Sequence, residues 1–284
     1  MFFGAGNLIF PPFLGNKVGD QYLIATLGFL LSAVGLVFSG LLAATKSGGT
    51  IEKIGNTISP RFSLIFSTII MLAIGPGLAI PRTAATTVEI IQKGFFKGAN
   101  SVLLTVVFFA CVYLFVRKPS SIIDNLGKIL TPLLIATLVV IIFKGIISPV
   151  ATPVNTYQIQ VFQSSFEEGY QTMDALGAAL MTGIVVSDLK RKGYVNDEER
   201  LKLVKWVGLV AFVLLAIIYG GLIYVGATAS KIYTVQNTRV DILLGTVQNI
   251  LGSAGKIAIG IAVSLACLTT SVGLSAIAGD FFSN

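Results

Sequence analysis

The sequence of this protein lacks histidine altogether and contains only two cysteines, Cys111 and Cys267, among 284 residues. Both cysteines lie inside apolar segments, so we interpret them as small packing residues rather than as a disulfide or a metal pair. Without histidine and without a cysteine cluster, the usual zinc and haem sites are excluded. The chain also has no glycine-rich phosphate loop of the Walker type, and therefore no sign of ATP use.

Charge is scarce as well, because 12% of the residues are charged while 54% are hydrophobic, and the mean hydropathy is +0.86. A soluble domain carries about 25% charged residues. The composition therefore predicts an all-α polytopic membrane protein surrounded by lipid. The net charge of +7 does not indicate nucleic-acid binding, since the basic residues are scattered among helix ends. No stretch reads as a cleavable signal peptide.

Long apolar runs then divide the chain into membrane segments. A helix needs about 20 apolar residues to span a bilayer. On that measure the sequence predicts eight helices, the first of them partial, at 1–14, 22–44, 62–80, 99–116, 126–147, 168–187, 203–227 and 254–281. Residues 229–252 are too apolar for a bare loop and predict a re-entrant or surface helix over the outer face. A lid and simple packing remain equal alternatives for that helix.

The distribution of positive charge predicts the orientation in the membrane. The loops 45–61, 117–128 and 188–205 hold twelve of the 20 Lys and Arg residues. The loop 148–170 holds none, and carries Glu167 and Glu168. Cytoplasmic loops are enriched in Lys and Arg, so the first three loops are predicted to face the cytoplasm.

The first candidate for chemistry is the run Gly4-Ala-Gly-Asn7. Glycines let a backbone leave helical geometry, which frees amides for an anion and carbonyls for a cation. In transporters, interrupted helices of this kind line the substrate and ion site. If a helix restarts near Asn7, its positive end favours a carboxylate. The alternative is a membrane anchor with incidental glycines.

Two further segments carry unusual polar groups. Asp174 lies inside the apolar segment 168–187, where an intramembrane acid is a functional candidate, with a place near the outer interface or a cap on a half-helix as the alternatives. In segment 254–281, Ala266, Thr269, Thr270 and Gly273 share one helical face. Hydroxyls and carbonyls are hard ligands suited to Na⁺, but such residues also join helices together.

Segment three contains Ile74-Gly-Pro-Gly77, and Pro76 should kink that helix. Arg82 follows at the end of the segment. We interpret it as an interfacial anchor, with a gate charge as the alternative.

Four ordered motifs together resemble one known family over essentially the whole chain. They are the runs 4–12, 76–86, 170–176 and 268–273, and they are similar to the branched-chain amino acid transporters of the LIVCS family, the BrnQ-like carriers. The resemblance implies a LeuT-like inverted-repeat helix bundle, related to the wider APC superfamily. Here that bundle would be truncated, running from about helix 1b to helix 8.

The resemblance also implies a substrate and an ion. Leu, Ile or Val would place its carboxylate at the amides of Ala5, Gly6 and Asn7. Its ammonium would face the carbonyls of Thr172, Met173 and Asp174, together with the Asp174 carboxylate. A sodium site is implied at Phe3, Ala266, Thr269 and Thr270.

In some relatives that the resemblance implies, a second sodium site uses an asparagine matching Asn7 and an asparagine partner in segment seven, and none occurs at 204–227. One sodium site is therefore expected. The expected activity is Na⁺-driven symport in a bacterial inner (plasma) membrane, without a cofactor and without enzymatic chemistry. Two alternatives stay open, namely proton-coupled or exchange transport on the same fold, and a non-transporting membrane fragment or sensor.

Overall fold

The computed structural model describes residues 4–49, 55–117, 121–156, 158–194, 196–234 and 236–283. Within these ranges the chain forms ten helices. They are α1 (Ala5–Val18), α2 (Tyr22–Lys46), α3 (Pro60–Leu72), α4 (Ala79–Gly94), α5 (Ser101–Val116), α6 (Ser121–Ile147), α7 (Val161–Tyr170), α8 (Asp174–Arg191), α9 (Asp197–Thr228) and α10 (Arg239–Ser283).

The helices are long and apolar enough for a polytopic membrane protein. Among the described residues, four continuous stretches qualify as membrane spans by length and hydropathy: Tyr22–Lys46, Pro60–Gly94, Asp197–Thr228 and Arg239–Ser283. Ser101–Val116 and Thr131–Ile147 are shorter apolar helices. Many large apolar side chains on these helices are exposed, as expected where lipid replaces water. The predicted all-α membrane class is confirmed.

A kink separates α3 from α4. The turn Ala73–Gly77 has the wider π-type winding, and Gly75 leaves helical geometry at φ −76° and ψ −114°. Pro76 supplies no backbone N–H, so the ladder of hydrogen bonds is interrupted there. The predicted kink is confirmed. The structure corrects the end predicted at residue 80, however, because α4 continues to Gly94. Its Thr and Arg residues lowered the hydropathy there although most face the interior.

The predicted segment 168–187 is two helices rather than one. Helix α7 ends at Tyr170 and α8 begins at Asp174, with Met173 in the left-handed region at φ 64°. The break therefore occurs at Met173, a non-glycine residue.

The region 229–252 is helical in its second half, as its apolar spacing predicts. Helix α10 begins at Arg239 and buries Val240, Leu243 and Val247. Gly252, at φ 72° and ψ −167°, redirects the chain into the following membrane segment. The predicted boundary at 254 is thus a bend within one continuous element. Helix α9 likewise begins earlier than predicted, at Asp197.

Helix α1 lies in the middle of the bundle, and this position organises the site. It packs most extensively against α9 and α10. The approach to α9 is close because glycines face backbone: a methyl group on Gly15 would overlap the carbonyl of Ile223, and one on Gly226 would overlap that of Pro12. Leu8, Phe10 and Leu14 are almost fully buried. Both ends of α1 are therefore surrounded by protein rather than lipid.

Candidate functional site

The start of α1 is an uncapped helix end. Gly4 is extended at φ −89° and ψ −173°, and no side chain caps the first turn. The first backbone N–H groups of a helix have no partner within the helix. A methyl group on Gly4 would lie 3.5 Å from Thr270 Cγ2, which places this end beside α10.

The break between α7 and α8 lies opposite this helix end. Thr172 Oγ1 donates to the carbonyl of Gly169 at 2.8 Å, which stabilises the unwound turn. The amide of Gly177 donates to the carbonyl of Met173 at 3.0 Å, so that carbonyl is already used by the first turn of α8. The role predicted for the carbonyls of Thr172, Met173 and Asp174 toward an ammonium stays a prediction.

Arg82 of α4 reaches into the same break. Its Nη1 donates to the carbonyl of Gln171 at 2.6 Å, and its Nη2 donates to that of Thr172 at 3.1 Å. Its guanidinium also lies 5.5 Å from the ring centroid of Phe10. The charged end of Arg82 is therefore bound to two backbone carbonyls at the break, a contact that the sequence did not predict. Hydropathy alone places arginine at a membrane surface.

Asn7 joins three helices. Its side-chain amide donates to the carboxylate of Asp174 and to the hydroxyl of Tyr219, the latter at 2.6 Å. Tyr219 belongs to α9, is fully buried, and packs edge-on against Phe29 at 5.6 Å. The sequence analysis sought an asparagine on this helix and missed the tyrosine that contacts Asn7. The signal was a tyrosine well inside an apolar span.

The residues predicted to hold sodium are only partly brought together. Thr270 lines the same cleft as Asn7 and Asp174. Ala266 is buried one turn away, and Thr269 Oγ1 donates to its carbonyl at 3.0 Å. A hydroxyl that donates still has lone pairs to offer a cation. Phe3 lies outside the described residues.

The start of α1, the break between α7 and α8, and parts of α4 and α10 line one open cleft. We call it the central cleft, and its polar lining includes Asn7, Arg82, Thr83, Thr172, Asp174 and Thr270. Ile74 and Leu274 supply apolar wall. The cleft thus combines an uncapped helix start, one cation, one acid, hydroxyls and an apolar side. Such a combination fits a small amphipathic ligand with both charges.

Comparison with known proteins places the chain in a family. The family model described as "Branched-chain amino acid transport protein" matches residues 1–284. The chain belongs to that family. It is 37% identical to the branched-chain amino acid permease BrnQ of Bacillus subtilis, covering 99% of this chain and 66% of that protein. It is 35% identical to the branched-chain amino acid transport system 2 carrier protein of Pseudomonas aeruginosa, covering 100% of this chain and 66% of that protein.

A third member of the family, BrnQ of Salmonella typhimurium, is 33% identical over 100% of this chain and 66% of its own length. The chain therefore spans about two thirds of the length of the curated relatives it matches. The resemblance seen in the sequence is confirmed, and the family consists of transporters rather than enzymes.

An ion-pair network joins the start of α10 to its neighbours. Arg239 Nη2 contacts both carboxylate oxygens of Glu168, at 2.9 and 3.1 Å. Its guanidinium also lies 4.4 Å from the ring centroid of Phe10. Lys93 of α4 forms a second bridge to Asp241 at 2.6 Å. The start of α10 is thereby fastened to α1, α4 and α7.

Proposed function

We propose that this protein moves leucine, isoleucine and valine across the plasma membrane together with Na⁺, by alternating access on a LeuT-like inverted-repeat bundle. Membership of the family supports the substrate class, and the names of the relatives specify branched-chain amino acids. The coupling ion and the symport mechanism rest on the chemistry of the central cleft.

The observation that carries the proposal is that the start of α1 and the break between α7 and α8 meet at one cleft. The start of α1 faces the break between α7 and α8 through the Asn7–Asp174 hydrogen bond, and it faces α10 through Gly4 and Thr270. Lipid cannot satisfy exposed backbone groups, so interrupted helices persist only where protein or a site surrounds them. In secondary transporters these interruptions form the binding site.

The substrate fits this cleft with its charged end toward the polar residues. Its carboxylate would accept from the amides of Ala5, Gly6 and Asn7, where the positive end of the helix dipole is favourable. Its ammonium would face the Asp174 carboxylate. Its side chain would lie toward Ile74 and Leu274. One buried CH₂ contributes about 0.8 kcal/mol, so the cleft would discriminate weakly among the three substrates.

Sodium would bind next to the substrate, on α10. Thr270 would supply a hydroxyl directly at the cleft, and Ala266 and Thr269 would supply a carbonyl and a hydroxyl one turn away. Oxygen ligands of this kind suit a hard cation. A membrane potential of 100 mV would add about 2.3 kcal/mol of driving force for each Na⁺ moved inward.

Uptake of labelled leucine by proteoliposomes tests the proposal. With an inward Na⁺ gradient, we expect accumulation that is lost when Na⁺ is replaced by K⁺. Thr270→Ala should raise the Na⁺ concentration needed for half-maximal uptake, whereas Ser275→Ala, on the same helix but not in the cleft lining, should leave it unchanged. Sodium-independent accumulation would contradict the coupling.

Proton coupling is the second candidate, because the carboxylate of Asp174 lines the cleft. In that case a proton gradient would replace Na⁺ as the driving force, and Asp174→Asn would abolish accumulation while exchange of labelled for unlabelled leucine continued. Accumulation driven by Na⁺ alone at constant pH would contradict this candidate.

A further inference from the structure

Two opposite charges line the central cleft without neutralising each other directly. Arg82 belongs to α4 and Asp174 to α8, and both contribute to the cleft wall. In the described part of the chain, the ion pairs do not include one between these two residues. Arg82 binds backbone carbonyls, and Asp174 accepts from the amide of Asn7. A ligand that carries both charges would complement this arrangement.

Several N–H groups of Arg82 are not used in the described contacts. A guanidinium carries five N–H groups, and the described contacts of Arg82 use one on each of the two terminal nitrogens. Its Nε is buried and has no hydrogen-bond partner among the described residues. A buried donor without a partner costs stability, so its persistence points to an acceptor that arrives with the ligand. A carboxylate can take two parallel N–H bonds from one guanidinium.

Gly6 keeps this guanidinium next to the start of α1. A methyl group placed on Gly6 would lie 3.4 Å from Arg82 Nη2 and 3.2 Å from the Phe10 ring. The positive end of α1 and the cation of Arg82 therefore lie side by side. Two positive features in contact favour an anion between them.

We propose that Arg82 binds the carboxylate of the substrate, together with the first amides of α1, while Asp174 faces the ammonium. The ligand class is therefore a zwitterionic α-amino acid that bridges α4 and α8. This assignment rests on the proposed function and adds a residue that the sequence analysis had placed at the membrane surface. A purely structural role, in which Arg82 only holds the break at Gln171 and Thr172, makes a different prediction.

Ligands that each lack one charge separate the two roles. Binding to the full protein in nanodiscs is measured by calorimetry with leucine, with leucinamide, which lacks the carboxylate, and with 4-methylpentanoate, which lacks the ammonium. In the wild type, leucine should bind at least tenfold more tightly than either analogue. In Arg82→Gln the affinity for leucine should fall at least tenfold while that for leucinamide changes less than twofold. Arg117→Gln, which removes an exposed cation at the end of α5, should leave all three affinities unchanged.

Equal losses for leucine and leucinamide in Arg82→Gln would overturn the assignment, because a structural defect does not distinguish the two ligands. Arg82→Lys gives a second reading, since it keeps the charge without the planar fork. It should weaken leucine binding and again spare leucinamide. Failure of the wild type to bind leucine would overturn the proposed function and this assignment together. If the wild type binds leucine but Arg82→Gln loses equal affinity for leucine and leucinamide, only the assignment is overturned.

A measurement on the wild type alone tests the assignment even if the Arg82 variants do not fold. Phenylglyoxal modifies accessible guanidinium groups, and its adduct at Arg82 can be quantified by mass spectrometry. Leucine should slow modification of Arg82 at least fivefold, and leucinamide should not, while modification of Arg117 should be unaffected by either. Equal protection by both ligands, or by neither, would overturn the assignment.

Discussion

The hydrogen bond between Asn7 and Tyr219 gives a sharp test of how the central cleft is built. Tyr219→Phe removes only the hydroxyl that accepts from Asn7 Nδ2 at 2.6 Å. The ring keeps its edge-on packing against Phe29, so the change creates almost no cavity. The amide of Asn7 then has one N–H on Asp174 and one N–H without an acceptor in a buried place.

The size of the effect follows from the cost of a buried unmade donor. That cost is about 1–3 kcal/mol in soluble proteins, but side-chain hydrogen bonds in membranes average about 0.6 kcal/mol. We therefore expect a loss of about 1 kcal/mol in the free energy of unfolding. For a chain of this length, such a loss lowers the unfolding midpoint by about 2–4 °C. Leucine affinity should fall about fivefold if Asn7 must be held in place to receive the substrate.

Tyr224→Phe is the matched control. Tyr224 lies on the same helix, five residues further on, and its ring contacts that of Tyr22 rather than the cleft. Both variants are compared with the wild type by thermal unfolding in the same detergent, and by calorimetric titration with leucine. If Tyr219→Phe matches Tyr224→Phe in both measurements, Asn7 does not depend on this hydroxyl and the described geometry of the cleft is refuted.

Two further variants test the ion-pair network at the start of α10 and the packing of α1. Glu168→Gln should destabilise the fold by about 1 kcal/mol in thermal unfolding, because Arg239 loses its charged partner; the loss is modest because Arg239 is 34% exposed to solvent. Glu167→Gln, a change at an exposed neighbour, is the control and should have no effect. Equal unfolding midpoints for the two variants would contradict the role of the ion pair. Gly226→Ala should cost about 3 kcal/mol or prevent folding, because the methyl group would overlap the Pro12 carbonyl. Folding of this variant is measured by size-exclusion chromatography. Gly273→Ala is the control and should fold normally, because, beyond the neighbouring backbone of its own helix, no atom of the described residues lies within 4 Å of the added methyl group.

Membrane helices were predictable because one strong physical signal specifies them. A run of apolar residues must either cross the bilayer or be buried, so hydropathy indicated which parts of the chain are helical, although several helix ends differ from the predicted ones. The kink at Pro76 was predictable for a local reason, since proline lacks the N–H that the helix needs. Predictions that required only the chain's immediate neighbourhood agree with the structure.

Predictions that depended on tertiary contacts were less successful. The end of α4 was missed because its threonines and Arg82 are polar but face protein, and hydropathy cannot distinguish that environment from water. The break before Asp174 falls at Met173, a residue whose left-handed backbone no composition rule suggests. Tyr219 was overlooked because its partner, Asn7, lies more than two hundred residues away in the sequence.

The ring of Phe10 contacts two arginines that belong to different parts of the structure. Its ring contacts the guanidinium of Arg239 at 4.4 Å and that of Arg82 at 5.5 Å. An aromatic face attracts cations, so the ring links Arg239, which belongs to the ion-pair network of α10, to Arg82, which lines the central cleft. Displacing the start of α10 would remove one of these cations and alter the wall against which the other rests. Phe10 is therefore a suitable reporter position for both the start of α10 and the central cleft.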